Sequence, residues 1–181
     1  MKCEYDVFIS YSRKDYEKDN EIIPGNLISK IQEAFEKNGI SYWFDKDGIY
    51  SSQEFVEVIS DAIAKSYILV FVSSLNSNES IYTTGEIFEA LDGNKEIIPV
   101  RLDNCQYNKK FRMLIRPKDY IDYFENPDNA IEKLLDAINK IKAEIEQKVN
   151  NLSSKQLCYT THRTSGMNTS SNNIIRMKFK K

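Results

Sequence analysis

The segment Ser66-Tyr67-Ile68-Leu69-Val70-Phe71-Val72-Ser73-Ser74 is a continuous apolar run bounded by serines. Its length and its β-branched and aromatic residues are typical of a strand buried on both faces. After a polar loop, Ser80-Ile81-Tyr82-Thr83-Thr84-Gly85-Glu86-Ile87 begins a predicted helix, because Ile87, Ala90 and Leu91 share one helical face. The two segments together predict one strand-helix unit of an α/β sheet.

Glu86 is predicted in the first turn of this helix, a short loop away from the carboxyl end of a central strand. Ligands bind at that edge of open α/β sheets. A structural role is the competing interpretation, since Thr83-Thr84-Gly85-Glu86 has the spacing of a capping box. The spacing by itself favours the cap, and only the rest of the chain can favour a ligand site.

Strands and helices alternate along the remaining sequence. The predicted elements are strands at 5–10, 40–44, 66–74, 96–102 and 120–123 and helices that begin near residues 26, 51, 80 and 126. Pro99 lacks a backbone donor and predicts a bulge or frayed pairing in the fourth strand. Residues 103–117 show no clear period and are predicted as an irregular loop. This alternation implies a parallel sheet with helices on both faces.

The bulk composition, with 41% hydrophobic and 29% charged residues among 181, is that of a soluble globular protein. No apolar run approaches the length that spans a bilayer, and no signal peptide is recognisable, so we predict a cytoplasmic protein without a membrane partner. Three scattered cysteines predict neither a disulfide framework nor a metal site.

The end of the sequence differs from the rest. Beyond about Asn150 it is rich in Ser, Thr and Asn, which predicts a domain over 1–149 and a polar basic tail, disordered or a linker, over 150–181. The tail after Glu146 holds 7 of the 25 basic residues, leaving 18 against 27 acidic residues in the body. That excess of acidic residues argues against a nucleic-acid partner.

The only histidine, His162, lies in the tail, so Ser-His and Cys-His catalysis within the fold is excluded.

Five motifs, in order, resemble those of TIR domains (Toll/interleukin-1 receptor type). The first is Tyr5-Asp6-Val7-Phe8-Ile9-Ser10-Tyr11-Ser12 with Asp15, and the fourth is Ser80-Ile81-Tyr82-Thr83-Thr84-Gly85-Glu86, a serine-x-aromatic-x-x-x-glutamate element. The others are Trp43-Phe44-Asp45 through Ile49, the helix from Phe55 to Ser66, and Ile97-Ile98-Pro99-Val100 with Asp103. The resemblance covers roughly residues 4–148.

The resemblance implies a flavodoxin-like parallel sheet of strand order 2-1-3-4-5. It also implies cleavage of NAD+ at the nicotinamide–ribose bond, with Glu86 as the catalytic residue and NAD+ as substrate; no cofactor or metal is expected. The substrate-binding residues that it predicts are Ser10, Ser12, Arg13, Asp45, Phe55, Ser74 and Tyr82. Two departures from the family are Ser51-Ser52 in place of a common Pro-Gly, and Tyr82 where many of the enzymes have Trp.

This reaction can proceed with one carboxylate. Nicotinamide leaves as a neutral molecule, so the general acid of an ordinary glycosidase is not needed. A carboxylate that hydrogen-bonds the ribose could stabilise the oxocarbenium-like transition state. Arg13 could pair with the pyrophosphate, and Tyr82 could stack on a ring.

The same fold also carries other functions. A non-enzymatic TIR scaffold that signals by homotypic TIR–TIR association is the main alternative. A phosphoacceptor receiver domain needs an aspartate at the end of the third strand, where Ser73-Ser74 stand, and is set aside. The resemblance to stand-alone bacterial TIR proteins implies self-association and a role in anti-phage immunity. The product, ADP-ribose or a cyclic isomer, would be sensed by a separate effector protein.

Overall fold

Strand β3, Ser66–Ser73, lies at the centre of a five-stranded parallel sheet. The computed structural model describes residues 3–45, 52–115 and 120–164, with the backbone alone for 52–55, 110 and 152–164. The other strands are β1 (Tyr5–Ser10), β2 (Tyr42–Trp43), β4 (Glu96–Arg101) and β5 (Ile121–Asp122). Every pairing is parallel and the order is β2-β1-β3-β4-β5, so the predicted flavodoxin-like order 2-1-3-4-5 is confirmed.

Six α-helices accompany the sheet in the described part of the chain. They are α1 (Leu27–Lys37), α2 (Ser52–Ala64), α3 (Leu75–Glu79), α4 (Ile81–Asp92), α5 (Lys109–Leu114) and α6 (Pro127–Thr164). A 3₁₀ turn at Arg13–Asp15 and a two-stranded hairpin of Glu17–Lys18 and Glu21–Ile22 lie between β1 and α1. Helix α1 begins next to residue 26, as predicted, and Asn26 caps it, since its side chain accepts a hydrogen bond from the Ser29 amide at 2.8 Å.

Side chains of β3 alternate between two apolar cores, one on each face of the sheet. Ile68, Val70 and Val72 pack in a cluster with residues of α1 and α6, including Ile31, Phe35, Leu134 and Ile138. Leu69 and Phe71 point to the opposite face, into a cluster with residues of α2 and α4, including Ile63 and Ile87. The strand is buried on both faces because each face of a parallel sheet is covered by helices.

Several loops that the sequence predicts as irregular contain short elements. The interval 103–117 includes α5, the polar loop after β3 is the five-residue α3, and the hairpin interrupts the loop after β1. The sequence predicts a bulge or frayed pairing at Pro99, and the two sides of β4 differ. On the β3 side there is no bulge, because Pro99 pairs in unbroken register with Phe71. On the β5 side pairing begins only at Val100, after Pro99, whose backbone lacks a donor.

Helix α6 continues beyond the predicted domain boundary. It runs from Pro127 to Thr164, so the described backbone of 150–164 is helical, while the division into a domain over 1–149 and a tail over 150–181 stays a prediction. Ser, Thr and Asn disfavour a helix by less than about 1 kcal/mol each, and no glycine or proline interrupts the sequence until Gly166. The compact unit that holds the sheet ends at Lys142 and a second unit begins at Ala143. None of the described helices is apolar over a length that could cross a membrane.

Truncation after Asn150 is expected to leave the melting temperature within about 2 °C of that of the full chain. Among the described residues, Ile138 is the last buried member of the core and Ile141 is the last that packs on it, so the truncation removes no described core contact. Thermal unfolding followed by circular dichroism measures the change.

The control is Ile138→Ala in the full chain. It leaves a cavity where the side chain is fully buried and is expected to lower the free energy of unfolding by about 2–5 kcal/mol. A truncated protein that loses as much stability as this variant would show that residues beyond 150 belong to the folded domain.

Candidate active site

A cleft of about 480 Å³ opens at the carboxyl ends of β1 and β2, beside the start of α4. Ligands of open α/β sheets bind at this edge, and the volume is in the usual range for a small-molecule site. Its lining residues are Ile9, Tyr11, Ser12, Arg13, Lys14, Trp43, Asp45, Asn76, Glu79, Ser80, Ile81, Tyr82 and Glu86. The cleft therefore combines carboxylates, cations and aromatic rings in one concave surface.

Glu86 does not cap its own helix. The side chain of Ser80 caps α4 by accepting a hydrogen bond from the Thr83 amide at 3.2 Å, so the helix begins at Ile81. Glu86 is the sixth helical residue and lies in the second turn, beyond the amides that need a cap. The capping-box interpretation of Thr83–Glu86 is therefore wrong, and the Glu86 carboxyl is available to the cleft.

The Glu86 carboxyl group is held by the first strand. Ser10, the last residue of β1, is fully buried and its hydroxyl donates to Oε2 of Glu86 at 2.5 Å. Burial of the carboxyl raises the pKa of Glu86 to about 7; the Ser10 hydrogen bond acts in the opposite direction, and the negative charge of Asp45 raises it further. A carboxyl group that titrates near neutrality in a cleft is a feature of functional sites.

The loop after β1 supplies one wall of the cleft. Ser12 is buried there, and Arg13 is paired with two carboxylates. The Arg13 Nε lies 3.3 Å from Oε1 of Glu17, and its Nη2 lies 3.7 Å from Oδ2 of Asp45. The Tyr11 hydroxyl donates to the backbone oxygen of Asp45 at 2.8 Å, which ties the end of β2 to this loop.

Ser74 has a structural task. It caps α3, and its hydroxyl donates to Oδ2 of Asp15 at 2.5 Å while accepting from the Ser77 amide at 3.0 Å. The Asn76 side chain donates to Oδ1 of the same Asp15 at 2.6 Å. Ser74 does not contribute to the lining of the described cleft. Asp15 thus joins the loop after β1 to the segment that leads into α4.

The remaining predicted residues have different outcomes. Tyr82 stands at the rim of the cleft, 57% exposed, and Ser10 hydrogen-bonds Glu86 but does not itself line the described cleft. Phe55 belongs to α2, but its side chain lies outside what the structure describes. Its role stays a prediction, and the same holds for the substrate-binding roles of the other predicted residues: Ser10, Ser12, Arg13, Asp45, Ser74 and Tyr82.

Sequence reasoning missed other lining residues, notably Lys14, Trp43, Asn76 and Glu79. Trp43 is itself part of the second family motif, and Lys14 lies between Ser12 and Asp15 of the first, so the motifs were the available signal. Asn76 and Glu79 lie in α3, which was predicted as loop, so no periodicity pointed to them. No group of three or more His, Cys, Asp or Glu residues within the described ranges is arranged to hold a metal ion.

The strand order and the cleft at the carboxyl edge define a flavodoxin-like α/β protein whose cleft is lined by three acidic and two basic side chains. Within that class, the family model for the TIR domain matches residues 7–135, and the chain therefore belongs to the TIR domain family. No curated protein matches the chain.

Solved structures of TIR domains share the fold. The crystal structure of the TIR domain of the Toll-related receptor TRR-2 from Hydra magnipapillata is similar with a TM-score of 0.58 and 21% identity, over 76% of this chain and 98% of that chain. The TIR domains of the activated Roq1 resistosome, which directly recognises the pathogen effector XopQ, are similar with a TM-score of 0.54 and 20% identity, over 75% and 99%. At these identities the similarity shows the fold alone.

Glu86→Gln is expected to make the stability of the protein less sensitive to pH. Glu86 has a pKa of about 7 in the folded protein and about 4.3 when unfolded, so between these values the folded state binds the extra proton. Titration of Glu86 therefore lowers the stability of the wild type as pH rises through this window, by on the order of 3 kcal/mol. Above the window the contribution of Glu86 no longer changes with pH. Glutamine does not titrate and removes that loss.

Urea unfolding followed by Trp43 fluorescence, at pH 5 and at pH 8.5, measures the effect in both proteins. The difference in free energy of unfolding between Glu86→Gln and wild type should favour the variant more strongly at pH 8.5. Contributions of Asp15 and other titrating groups cancel in this comparison. An equal difference at the two pH values would contradict the raised pKa.

Proposed function

We propose that this TIR protein is an NAD+ nucleosidase that cleaves the nicotinamide–ribose bond and yields ADP-ribose or a cyclic ADP-ribose-type signal. The observation that carries the proposal is the half-buried carboxyl of Glu86, held by Ser10 at 2.5 Å and facing a cleft large enough for part of a dinucleotide. Membership of the TIR family supports it, because the resemblance assigns the catalytic glutamate to Glu86.

The proposed chemistry needs a negative charge more than a proton donor. As the bond to nicotinamide breaks, the positive charge of the ring moves to the ribose, and nicotinamide leaves as a neutral molecule. Ionised Glu86 would stabilise that charge, and its burial strengthens the interaction because little water screens it. Ser10 holds Oε2, which leaves Oε1 to accept hydrogen bonds from ribose hydroxyls.

The rim of the cleft suits a flat ring. Tyr82 is 57% exposed and Ile81 is 85% exposed, and both line the cleft at the start of α4. Stacking a base or the nicotinamide on these side chains would remove apolar surface from water. The exposure of Tyr82 at the cleft supports the stacking role that its position in the serine-x-aromatic-x-x-x-glutamate motif implies.

The second candidate is a non-enzymatic scaffold that signals through TIR–TIR contacts. The observation that favours it is the apolar surface on α3 and α4, where Leu75, Ile81 and Phe88 are each more than half exposed. Self-association is compatible with both candidates, since an assembly can also carry an enzyme. In the enzymatic case, we propose a role in bacterial anti-phage immunity, with a separate effector that senses the nucleotide product.

Glu86→Gln is expected to reduce NAD+ cleavage by about 100-fold or more, because loss of one preorganised electrostatic contact removes about 3 kcal/mol of transition-state stabilisation. The matched control is Glu89→Gln on the same helix. Glu89 is exposed, accepts a hydrogen bond from Ser60 at 2.7 Å and does not line the described cleft. Its change should leave turnover within about twofold of wild type.

Mass spectrometry of purified protein incubated with NAD+ measures turnover and identifies the product. Wild type that releases no nicotinamide across a wide range of protein concentrations would favour the scaffold. Unchanged turnover in a folded Glu86→Gln protein would move the chemistry away from Glu86.

The rate should also depend on pH. Because the free enzyme holds Glu86 with a pKa of about 7, kcat/KM is expected to fall about tenfold per pH unit below that value and to level off above it. The Asp45 charge contributes to this pKa, so Asp45→Asn should move the midpoint to lower pH. A profile that is flat from pH 5 to pH 8.5 would contradict ionised Glu86 as the required form.

A further inference from the structure

We propose that Lys14, rather than Arg13, supplies the positive charge that binds a phosphate group in the cleft, and so selects phosphate-bearing dinucleotides over nucleosides. The inference rests on the proposed function, which it makes more specific. It starts from the charges that line the cleft. Three are acidic, Asp45, Glu79 and Glu86, and two are basic, Arg13 and Lys14.

Arg13 is already occupied. Its Nε contacts Glu17 at 3.3 Å and its Nη2 approaches Asp45 at 3.7 Å, so two carboxylates share one guanidinium. A phosphate that bound Arg13 would have to compete with both, and the carboxylates it met there would repel it. The Asp45 side chain is only 18% exposed, which limits screening by water on its side of the pair, while the Arg13 side chain is 42% exposed.

Lys14 differs from Arg13 in its ion pairing. It lies beside Arg13 in the same 3₁₀ turn, is exposed and lines the cleft, and it makes no ion pair with any described residue. Most exposed lysines are simply solvated, but this one faces a concave site whose other basic side chain is paired. A flexible ammonium with three donors can meet a phosphate oxygen without fixed geometry.

The backbone that carries Lys14 is anchored on both sides. The Asp15 amide donates to the Ser12 oxygen at 2.8 Å, closing the turn, and the Asp15 carboxylate accepts from Ser74 and Asn76. These contacts hold the turn against the segment that leads into α4. Lys14 is thus presented from a fixed position, which lowers the entropy lost when it binds a ligand.

The ligand chemistry fits a pyrophosphate. A dinucleotide such as NAD+ carries two negative charges between its riboses, and the ionised cleft has one more acidic than basic residue. Such a substrate needs an unpaired cation to offset the repulsion from the carboxylates. A nucleoside without phosphate has no such requirement, so Lys14 distinguishes the two classes.

Calorimetric titration of the full chain with ADP-ribose, which keeps the pyrophosphate, tests the inference without depending on catalysis. Lys14→Gln is expected to weaken ADP-ribose binding about tenfold, the effect of losing one charge-assisted hydrogen bond. The matched control is Lys18→Gln, an exposed lysine of the hairpin that does not line the described cleft, with an expected change below about twofold. Adenosine, which has no phosphate, should bind all three proteins equally.

Arg13→Gln completes the set and should weaken ADP-ribose binding less than Lys14→Gln does. Three results would overturn the inference: wild-type affinity in Lys14→Gln, an equal loss in the Lys14 and Lys18 variants, or no binding of ADP-ribose to wild type. Binding that depends on Lys14 together with NAD+ cleavage that survives Glu86→Gln would overturn the proposed function alone. Cleavage that depends on Glu86 with unchanged ADP-ribose affinity in Lys14→Gln would overturn this inference alone.

Discussion

The site depends on a carboxyl group that is removed from water and held by one hydroxyl. Ionising Glu86 in this position is unfavourable because the protein solvates the charge less well than water does, and the Ser10 hydrogen bond offsets only part of that loss. The contact joins the end of β1 to the second turn of α4. The sheet and the helix must therefore be packed before the carboxyl acquires its pKa near neutrality.

A second set of contacts holds the loops around that carboxyl. Asp15 receives hydrogen bonds from Ser74 and Asn76, and Arg13 lies between Glu17 and Asp45. Burial raises the pKa of Asp15 although both hydrogen bonds act against it. These polar groups lie at the edge of the two apolar cores that cover the faces of the sheet. A charged group that already forms ion pairs within the loops, such as Arg13, is less available to a ligand.

Sequence patterns predicted the elements that bury most of their surface. The apolar run of β3 and the helical period of α1 correctly indicated their positions, since burial on a fixed face imposes a repeat on the sequence. The short α3 and α5 were missed because one or two turns are too short to show a period. The bulge predicted at Pro99 is absent for a different reason. A missing amide affects pairing on only one side of a strand, and β3 pairs with β4 on the other side.

Sequence patterns were enough to predict the five strands of the sheet and the four longer helices in their order along the chain, the resemblance to the TIR family, and a glutamate near the carboxyl edge of the sheet. Local spacing favoured a cap for Glu86, and the packed fold excludes that cap by placing Ser80 at the helix start and Ser10 against the carboxyl. Ser10 and Glu86 are 76 positions apart in the sequence, so no local sequence pattern could predict that their side chains form a hydrogen bond. Burial, and the pKa that follows from it, belongs to the packed fold because many distant residues together exclude the water.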